Sequence, residues 1–167
     1  MKTVVELRPT QPVDLDAIGL IYRHYVENSV ATFELVAPDR GEWEHRLQAV
    51  RAAGLPFLTA TVDGEVAGYG YCAPWKTRPA YRHTVEDSVY VAPHARGRGI
   101  GGRLLDELLI CCAQAGIRQV IAVIVDDGAD SAALHRKRGF SEAGRLRAVG
   151  FKHDRWLDTV LLQRSLG

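Results

Sequence analysis

Apolar positions along the chain recur at helical and at alternating spacing, and the switches between the two mark out the elements. After Pro12, the residues Leu15, Ile18, Ile21, Tyr22 and Tyr25 fall on one helical face. Asp14 is the expected N-cap of that helix and Asn28-Ser29 its end. Trp43, Leu47 and Val50 predict a second helix over residues 40–53, stopped by Gly54. Residues 4–8 alternate as a first strand, and the β-rich runs 56–62 and 65–73 flank Asp63-Gly64, a hairpin signal. Residues 84–91 predict another strand, with Val85, Val89 and Val91 on one side and Glu86, Ser88 and Tyr90 on the other. Leu104, Leu105, Leu108 and Cys112 stripe a helix over 101–115, closed by Gly116. Residues 119–125 form a continuous β-branched run, the mark of a central strand buried on both faces. A short helix through Arg138 follows, capped by Asp130 or Ser131, and residues 145–149 and 159–163 predict a final antiparallel pair. The order β-α-α-β-β-β-α-β-α-β-β is that of an α/β layer structure. Without repeats or low-complexity linkers, residues 1–167 are expected to form a single domain.

Composition narrows the function classes. The net charge of +1 offers no overall electrostatic case for nucleic acid, so any basic site is local. Cys72, Cys111 and Cys112 lack Cys-x-x-Cys spacing, which argues against a zinc site or a disulfide framework and for reduced thiols. The N-terminus reads as a strand rather than a signal peptide, and no apolar run approaches the roughly 20 residues that span a bilayer. A soluble, cytoplasmic protein with no membrane partner and no metal is the expectation.

The strongest chemical feature is the loop Arg96-Gly97-Arg98-Gly99-Ile100-Gly101-Gly102 between a strand and a helix. Glycines let a backbone approach an anion closely, and a helix N-terminus offers unpaired N–H groups and a positive dipole end. Arg96 and Arg98 add cationic donors suited to phosphate, so a pyrophosphate is the natural guest. Gly97, Gly99 and Gly102 formally match the dinucleotide fingerprint, but residues 92–96 separate strand from first glycine and too little chain follows for a second mononucleotide half. The P-loop pattern fails, since no Gly-Lys-Ser/Thr follows. A plain flexible turn does not need two interleaved arginines.

The stretch from Val89-Tyr90-Val91 through Arg96-Gly97-Arg98-Gly99-Ile100-Gly101 resembles the acyl-CoA signature of the GNAT superfamily, Arg/Gln-x-x-Gly-x-Gly/Ala, carried here by Arg96, Gly99 and Gly101. Residues 22–33, 75–91, 135–140 and 146–156 resemble the phosphinothricin and methionine sulfone/sulfoximine N-acetyltransferases, above all in Tyr81-Arg82-His83-Thr84-Val85-Glu86 and Gly150-Phe151-Lys152-His153. The resemblance implies a GNAT fold: a mixed, mostly antiparallel seven-stranded sheet, helices on both faces, and a splay at the cofactor site. It implies acetyl-CoA as acetyl donor, a small-molecule amine as acceptor, and a homodimer.

It also distributes roles. Backbone groups of Val89, Tyr90 and Val91 would bind the pantetheine arm, and the N–H groups of Gly97, Arg98, Gly99, Ile100, Gly101 and Gly102 the pyrophosphate. The family often has an asparagine after the next strand; Gly128 stands there, with Ser131 or a backbone group as its substitute. Glu86, by position alone a surface glutamate or a base, becomes the base that deprotonates the ammonium substrate. His135, by position alone a residue of a basic helix end, becomes a catalytic group beside the sulfur. The oxyanion donor is a backbone N–H near Tyr90 or Val91. Lys76, Arg78 and Arg82 concentrate positive charge, suited to an amino acid with a carboxylate and a second anionic or strongly polar group, and the resemblance implies Lys76 and Arg78 near the substrate with Phe33, Trp75 and Tyr81 lining the pocket. Such a wall argues against polyamines and aminoglycosides as acceptors. Acetylation of a protein N-terminus and non-catalytic sensing of acyl-CoA are the competing functions. No nucleophile elbow or Cys/His motif calls for an acyl-enzyme, so direct transfer is expected. The hairpin over 146–156 closes the pocket and meets a second subunit in that family, while Lys152-His153 at its tip reads as solvated.

Overall fold

The chain folds as β1 (Val5–Pro9), α1 (Leu15–Asn28), α2 (Arg40–Ala52), β2 (Phe57–Val62), β3 (Glu65–Pro74), β4 (Thr84–Val91), α3 (Ile100–Gln114), β5 (Gln119–Val125), α4 (Ser131–Arg136), β6 (Ser141–Lys152) and β7 (Arg155–Ser165). The structure is a computed structural model and describes residues 3–127 and 131–167. Gly128, and Asp130 as a cap, lie outside the described residues. The strands form one sheet in the order β1-β2-β3-β4-β5-β7-β6. Every neighbouring pair is antiparallel except β4 with β5. This is the expected GNAT arrangement, a mixed sheet with helices on both faces.

The strand alternation decides which helix covers which face. Odd residues of β3 meet α2, where Tyr69 packs edge-on against Trp43 at 5.6 Å. Even residues face α3, so that a Cβ added at Gly70 would touch Leu108. Leu104, Leu105 and Leu108 are fully buried there, each worth roughly 1.5–3 kcal/mol of transfer free energy. Among the described residues no helix is long and apolar enough to cross a membrane.

Two local expectations are corrected. Asp14 makes no side-chain cap to α1; a 3-10 turn over Pro12–Asp14 comes first. Its buried carboxylate instead takes a two-pronged contact from Arg8 at 2.7 and 2.8 Å and the Gln11 N–H at 2.8 Å. The final strands are also far longer than residues 145–149 and 159–163. They run to a two-residue turn at His153 and Asp154, both at positive φ (51° and 58°) as a type I′ hairpin requires.

The sheet opens at one place. The parallel β4–β5 ladder covers only Thr84–Glu86 against Gln119–Ile121, yet β4 continues to Val91 and β5 to Val125. Past Glu86 the edge of β4 that faces β5 has no strand partner among the described residues.

Candidate active site

Backbone direction along β4 identifies the groups at that open edge. Thr84 O accepts from Trp75, and Ala92 N–H donates to Ala67, so even-numbered peptide groups of β4 face β3. Odd-numbered ones, at Asp87, Val89 and Val91, therefore face the opening. Of the three residues expected to bind pantetheine, Val89 and Val91 present backbone to the cleft. Tyr90 turns its backbone to β3 and its ring into an aromatic cluster, 5.1 Å from Tyr22 and 5.6 Å from Tyr69. The carbonyl of Val91 accepts a short hydrogen bond from the Tyr25 hydroxyl.

Tyr25 also holds the expected phosphate ligand. Arg96 Nε donates to its hydroxyl at 3.2 Å, and the guanidinium lies over its ring at 5.2 Å. Gly97 and Gly99 both sit at φ 76°, a left-handed conformation natural to glycine, and Gly99 is the N-cap of α3. The first helical bond runs from Arg103 N–H to Gly99 O. Ile100, Gly101 and Gly102 thus have N–H groups without a helical acceptor, at the positive end of a 15-residue helix. Gly102 has a second reason to lack a side chain: the Arg138 guanidinium occupies the space a Cβ would take. Arg138 is anchored there by Asp106 Oδ1 at 2.8 Å and the Gly102 carbonyl at 3.2 Å. Arg98 instead lines a recess of ≈ 330 Å³ with Asp63, Glu65 and His94 beside the β2–β3 turn.

Glu86 is the last β4 residue on the β5 ladder and lies on the α1/α2 face, opposite Ala73. Burial raises its pKa, the neighbouring Asp87 charge raises it further, and Lys76 pulls it back. Lys76 also stacks its ammonium over the Trp75 ring at 4.9 Å. Lys76, Trp75 and Glu86 are thereby brought together, while Arg78 and Tyr81 stand exposed on the adjoining 3-10 turn. Next to Glu86 on the same face lie Ser88 and Tyr71, whose phenol pKa burial pushes up. The α1–α2 connection closes this side: Tyr22 and Thr32 hydroxyls meet at 2.6 Å, and Arg46 grips Glu34 at 2.7 and 3.2 Å. Phe33 projects between those two anchors and rests on Gly150 of β6. Lys152, read from sequence as solvated, is buried instead.

His135 lies on the opposite face from Glu86. Successive strand residues point to opposite sides, and it is Asp87 that His135 meets, Nε2 to Oδ2 at 2.8 Å. Its Nδ1 lies 2.7 Å from the Ser131 carbonyl oxygen. With Asp87 ionised both partners are acceptors, and His135 satisfies both as an imidazolium donating from each nitrogen. Burial opposes that charge, but the hydrogen bond and charge of Asp87 outweigh it and raise the His135 pKa above its ordinary value. The two side chains are 5% and 2% exposed, a buried ion pair. Ser131 takes part through its carbonyl and is itself exposed at the start of α4. Asp87, Tyr25, Tyr71, Glu34 and Arg46 were not singled out from the sequence. Only Tyr25 carried a signal, a polar tip on the buried stripe of α1.

Comparison with known proteins gives the constellation its setting. The sequence model of the acetyltransferase (GNAT) family matches residues 21–140. A phosphinothricin N-acetyltransferase of Alcaligenes faecalis is 47% identical over 161 residues, 96% of this chain and 82% of that protein. An L-methionine sulfoximine/L-methionine sulfone acetyltransferase of Pseudomonas paraeruginosa is 35% identical over 96% of this chain and 94% of its own. Among solved structures, a GNAT superfamily phosphinothricin acetyltransferase from Sinorhizobium meliloti in complex with AcCoA superposes with a TM-score of 0.94 at 46% identity, covering 98% of this chain and 89% of that one.

Proposed function

The chain belongs to the acetyltransferase (GNAT) family, and from that premise we propose that it transfers the acetyl group of acetyl-CoA to the α-amine of a small amino-acid analogue such as phosphinothricin or methionine sulfone or sulfoximine. The observation that carries the reading is the end of the β4–β5 ladder at Glu86. A half-buried carboxylate there borders both an unpaired strand edge and the Lys76–Trp75 wall.

The residues present suit the donor substrate. The N–H groups of Ile100, Gly101 and Gly102, with Arg96 alongside, form a site for its pyrophosphate. The cleft-facing groups of Val89 and Val91 offer strand-like hydrogen bonds to its amide-bearing arm. Acetyl-CoA supplies a thioester carbonyl carbon open to attack by an amine. Glu86 accepts the proton that makes an ammonium into a nucleophile, and its raised pKa brings it nearer the working pH. A cleft-facing N–H of β4 receives the charge that develops on the carbonyl oxygen. The N–C bond forms as the C–S bond breaks, and the proton left on the acylated nitrogen neutralises the thiolate. His135, assigned by resemblance to the sulfur, has both N–H groups on fixed acceptors. We read it as a fixed cation that ties α4 to β4 beneath the cleft, not as a proton shuttle. Lys76, with Arg78 near it in sequence, supplies the cationic wall for the acceptor's carboxylate, and Phe33 and Tyr81 its sides.

The reading extends to assembly and compartment. Leu146, Val149, Phe151 and Trp156 expose 47–68% of their surface along one hairpin at the sheet edge, and a second copy of this chain is their occupant in a homodimer. All three cysteines are free, as suits a reducing cytoplasm. Release of CoA thiol with phosphinothricin, methionine sulfone, methionine sulfoximine, spermidine and an aminoglycoside tests the substrate class. The three amino-acid analogues are expected to be turned over well above the acceptor-free background. Turnover confined to the cationic amines refutes the assignment.

A further inference from the structure

Lys152 is the most deeply buried lysine in the described chain, 4% exposed, and it serves no ion pair within 4 Å. Its Nζ donates to two main-chain carbonyls, Thr32 O at 2.7 Å and Glu34 O at 3.0 Å. Those carbonyls flank Phe33. They belong to the irregular α1–α2 connection, where no strand or helix ladder satisfies them, and the Lys152 side chain does so instead. One ammonium therefore fixes the backbone on both sides of a single aromatic residue.

The second contact comes from the same strand face. Gly150 is two residues from Lys152 along β6 and so points the same way. A Cβ built on Gly150 would overlap three carbons of the Phe33 ring, so the ring rests on bare backbone. Lys152 holds the main chain of Phe33 and Gly150 seats its ring, while Tyr22–Thr32 and Glu34–Arg46 pin the flanks from the helix side. The opposite face of the hairpin carries exposed Phe151 and Trp156, ring to ring at 4.9 Å.

A buried ammonium is an expensive way to hold a loop unless the position it sets matters. Glu34 lies close enough to oppose in part the lowering of its pKa by burial. A hydroxyl, with one O–H, would not donate to two carbonyls separated by one residue; three divergent N–H donors on one atom do.

We propose that Lys152 and Gly150 are specificity-determining positioning residues: together they set where the Phe33 ring stands and hence which acceptor side chains the pocket admits. Neither touches the reacting atoms. The inference rests on the reading of Phe33 as a wall of the acceptor pocket.

The test is steady-state kinetics of Lys152→Met, Gly150→Ala, Phe33→Ala and Phe33→Ala/Lys152→Met, varying phosphinothricin and methionine sulfone separately at saturating acetyl-CoA, and acetyl-CoA at saturating amine. Loss of hydrogen bonds from a charged donor corresponds to roughly tenfold or more. Lys152→Met and Gly150→Ala are each expected to raise KM for the amines about tenfold and to change the kcat/KM ratio between the two, with KM for acetyl-CoA within about twofold of wild type. In the Phe33→Ala background, Lys152→Met is expected to add less than about twofold, because it acts through the ring. Equal rises in the amine and acetyl-CoA KM values, an unchanged kcat/KM ratio between the amines, or full additivity with Phe33→Ala overturns the proposal. Wild-type turnover of either amine is the reference: if it is absent, the substrate reading fails, and amide hydrogen exchange of residues 29–36 still decides the tether. Faster exchange there in Lys152→Met, with exchange in α3 unchanged, supports it; unchanged exchange overturns it.

Discussion

Replacing Asp87 with Asn removes one charge from the buried pair and leaves its shape. In the wild-type protein His135 lies 2.7 Å from the Ser131 carbonyl and 2.8 Å from the Asp87 carboxylate, and as an imidazolium it donates to both. Without the carboxylate the two Asp87 causes that raise its pKa disappear, only the Ser131 carbonyl still raises it, and burial favours the neutral ring. A neutral imidazole has one N–H, which stays on the Ser131 carbonyl while its bare Nε2 accepts from the new amide N–H, so the pair loses its charge assistance but not its geometry. Breaking a buried pair costs about 3–5 kcal/mol and losing a charged hydrogen bond about 1.5–3. Asn still offers a hydrogen-bond partner and His135 can shed its charge, so about 2–4 kcal/mol is expected. For a domain of this size that is roughly 4–16 °C in Tm. The pH dependence follows from the sign of the shift. A histidine whose folded pKa is raised contributes stability that is fully present below its unfolded value, about 6.5, and lost as pH rises through the folded value. The difference between wild type and Asp87→Asn is therefore expected to be large at pH 6 and smaller at pH 9.5, by urea denaturation followed by circular dichroism. NMR of the labelled imidazole at pH 6 is expected to show both ring nitrogens protonated in the wild type and one in the variant. A single neutral tautomer in the wild type, or an equal stability loss at both pH values, refutes the fixed-cation reading.

Glu86→Gln should lower kcat by about 10²–10⁴-fold while calorimetric acetyl-CoA binding persists. In the wild type kcat/KM should rise with pH through a value above the ordinary glutamate range, and Lys76→Met should move that limb higher by removing the charge that pulls Glu86 down. Tyr25→Phe, which frees both Arg96 and the Val91 carbonyl, should raise KM for acetyl-CoA by up to about tenfold with little change in the acceptor KM; equal changes in both would contradict Tyr25 as a support of the donor site. Trp156→Asp should halve the mass seen by sedimentation equilibrium, and an unaltered mass would place the subunit contact elsewhere.

The order of elements was legible because apolar period follows the sheet and helix faces directly: Leu104, Leu105 and Leu108 are buried where the helical stripe put them. The ends of β6 and β7 were not, since β6 is exposed along most of its length and shows no alternation for the eye to follow. The anion loop was visible because its signal is local. The partners of the site were not, because they meet across long sequence gaps. Asp87 finds His135 48 residues away, and Lys152 finds Thr32 120 residues away. Strand alternation alone would have put Asp87 on the opposite side of β4 from Glu86. Knowing that His135 lies on that side required the placement of α4. Lys152 looked solvated for the same reason: a hairpin tip is ordinarily free, and nothing local in Gly150-Phe151-Lys152-His153 announces the loop that lies on it.

Direct transfer between donor and amine is tested most directly by a single turnover with acetyl-CoA labelled in the acetyl group, excess enzyme, phosphinothricin as acceptor, and mass spectrometry of both small molecules and protein. The label is expected on the amine of the acceptor, with one acetyl per CoA thiol released and no labelled protein at any time before completion. A labelled residue on the chain that decays into product, or thiol release that yields free acetate instead of the amide, would contradict direct transfer.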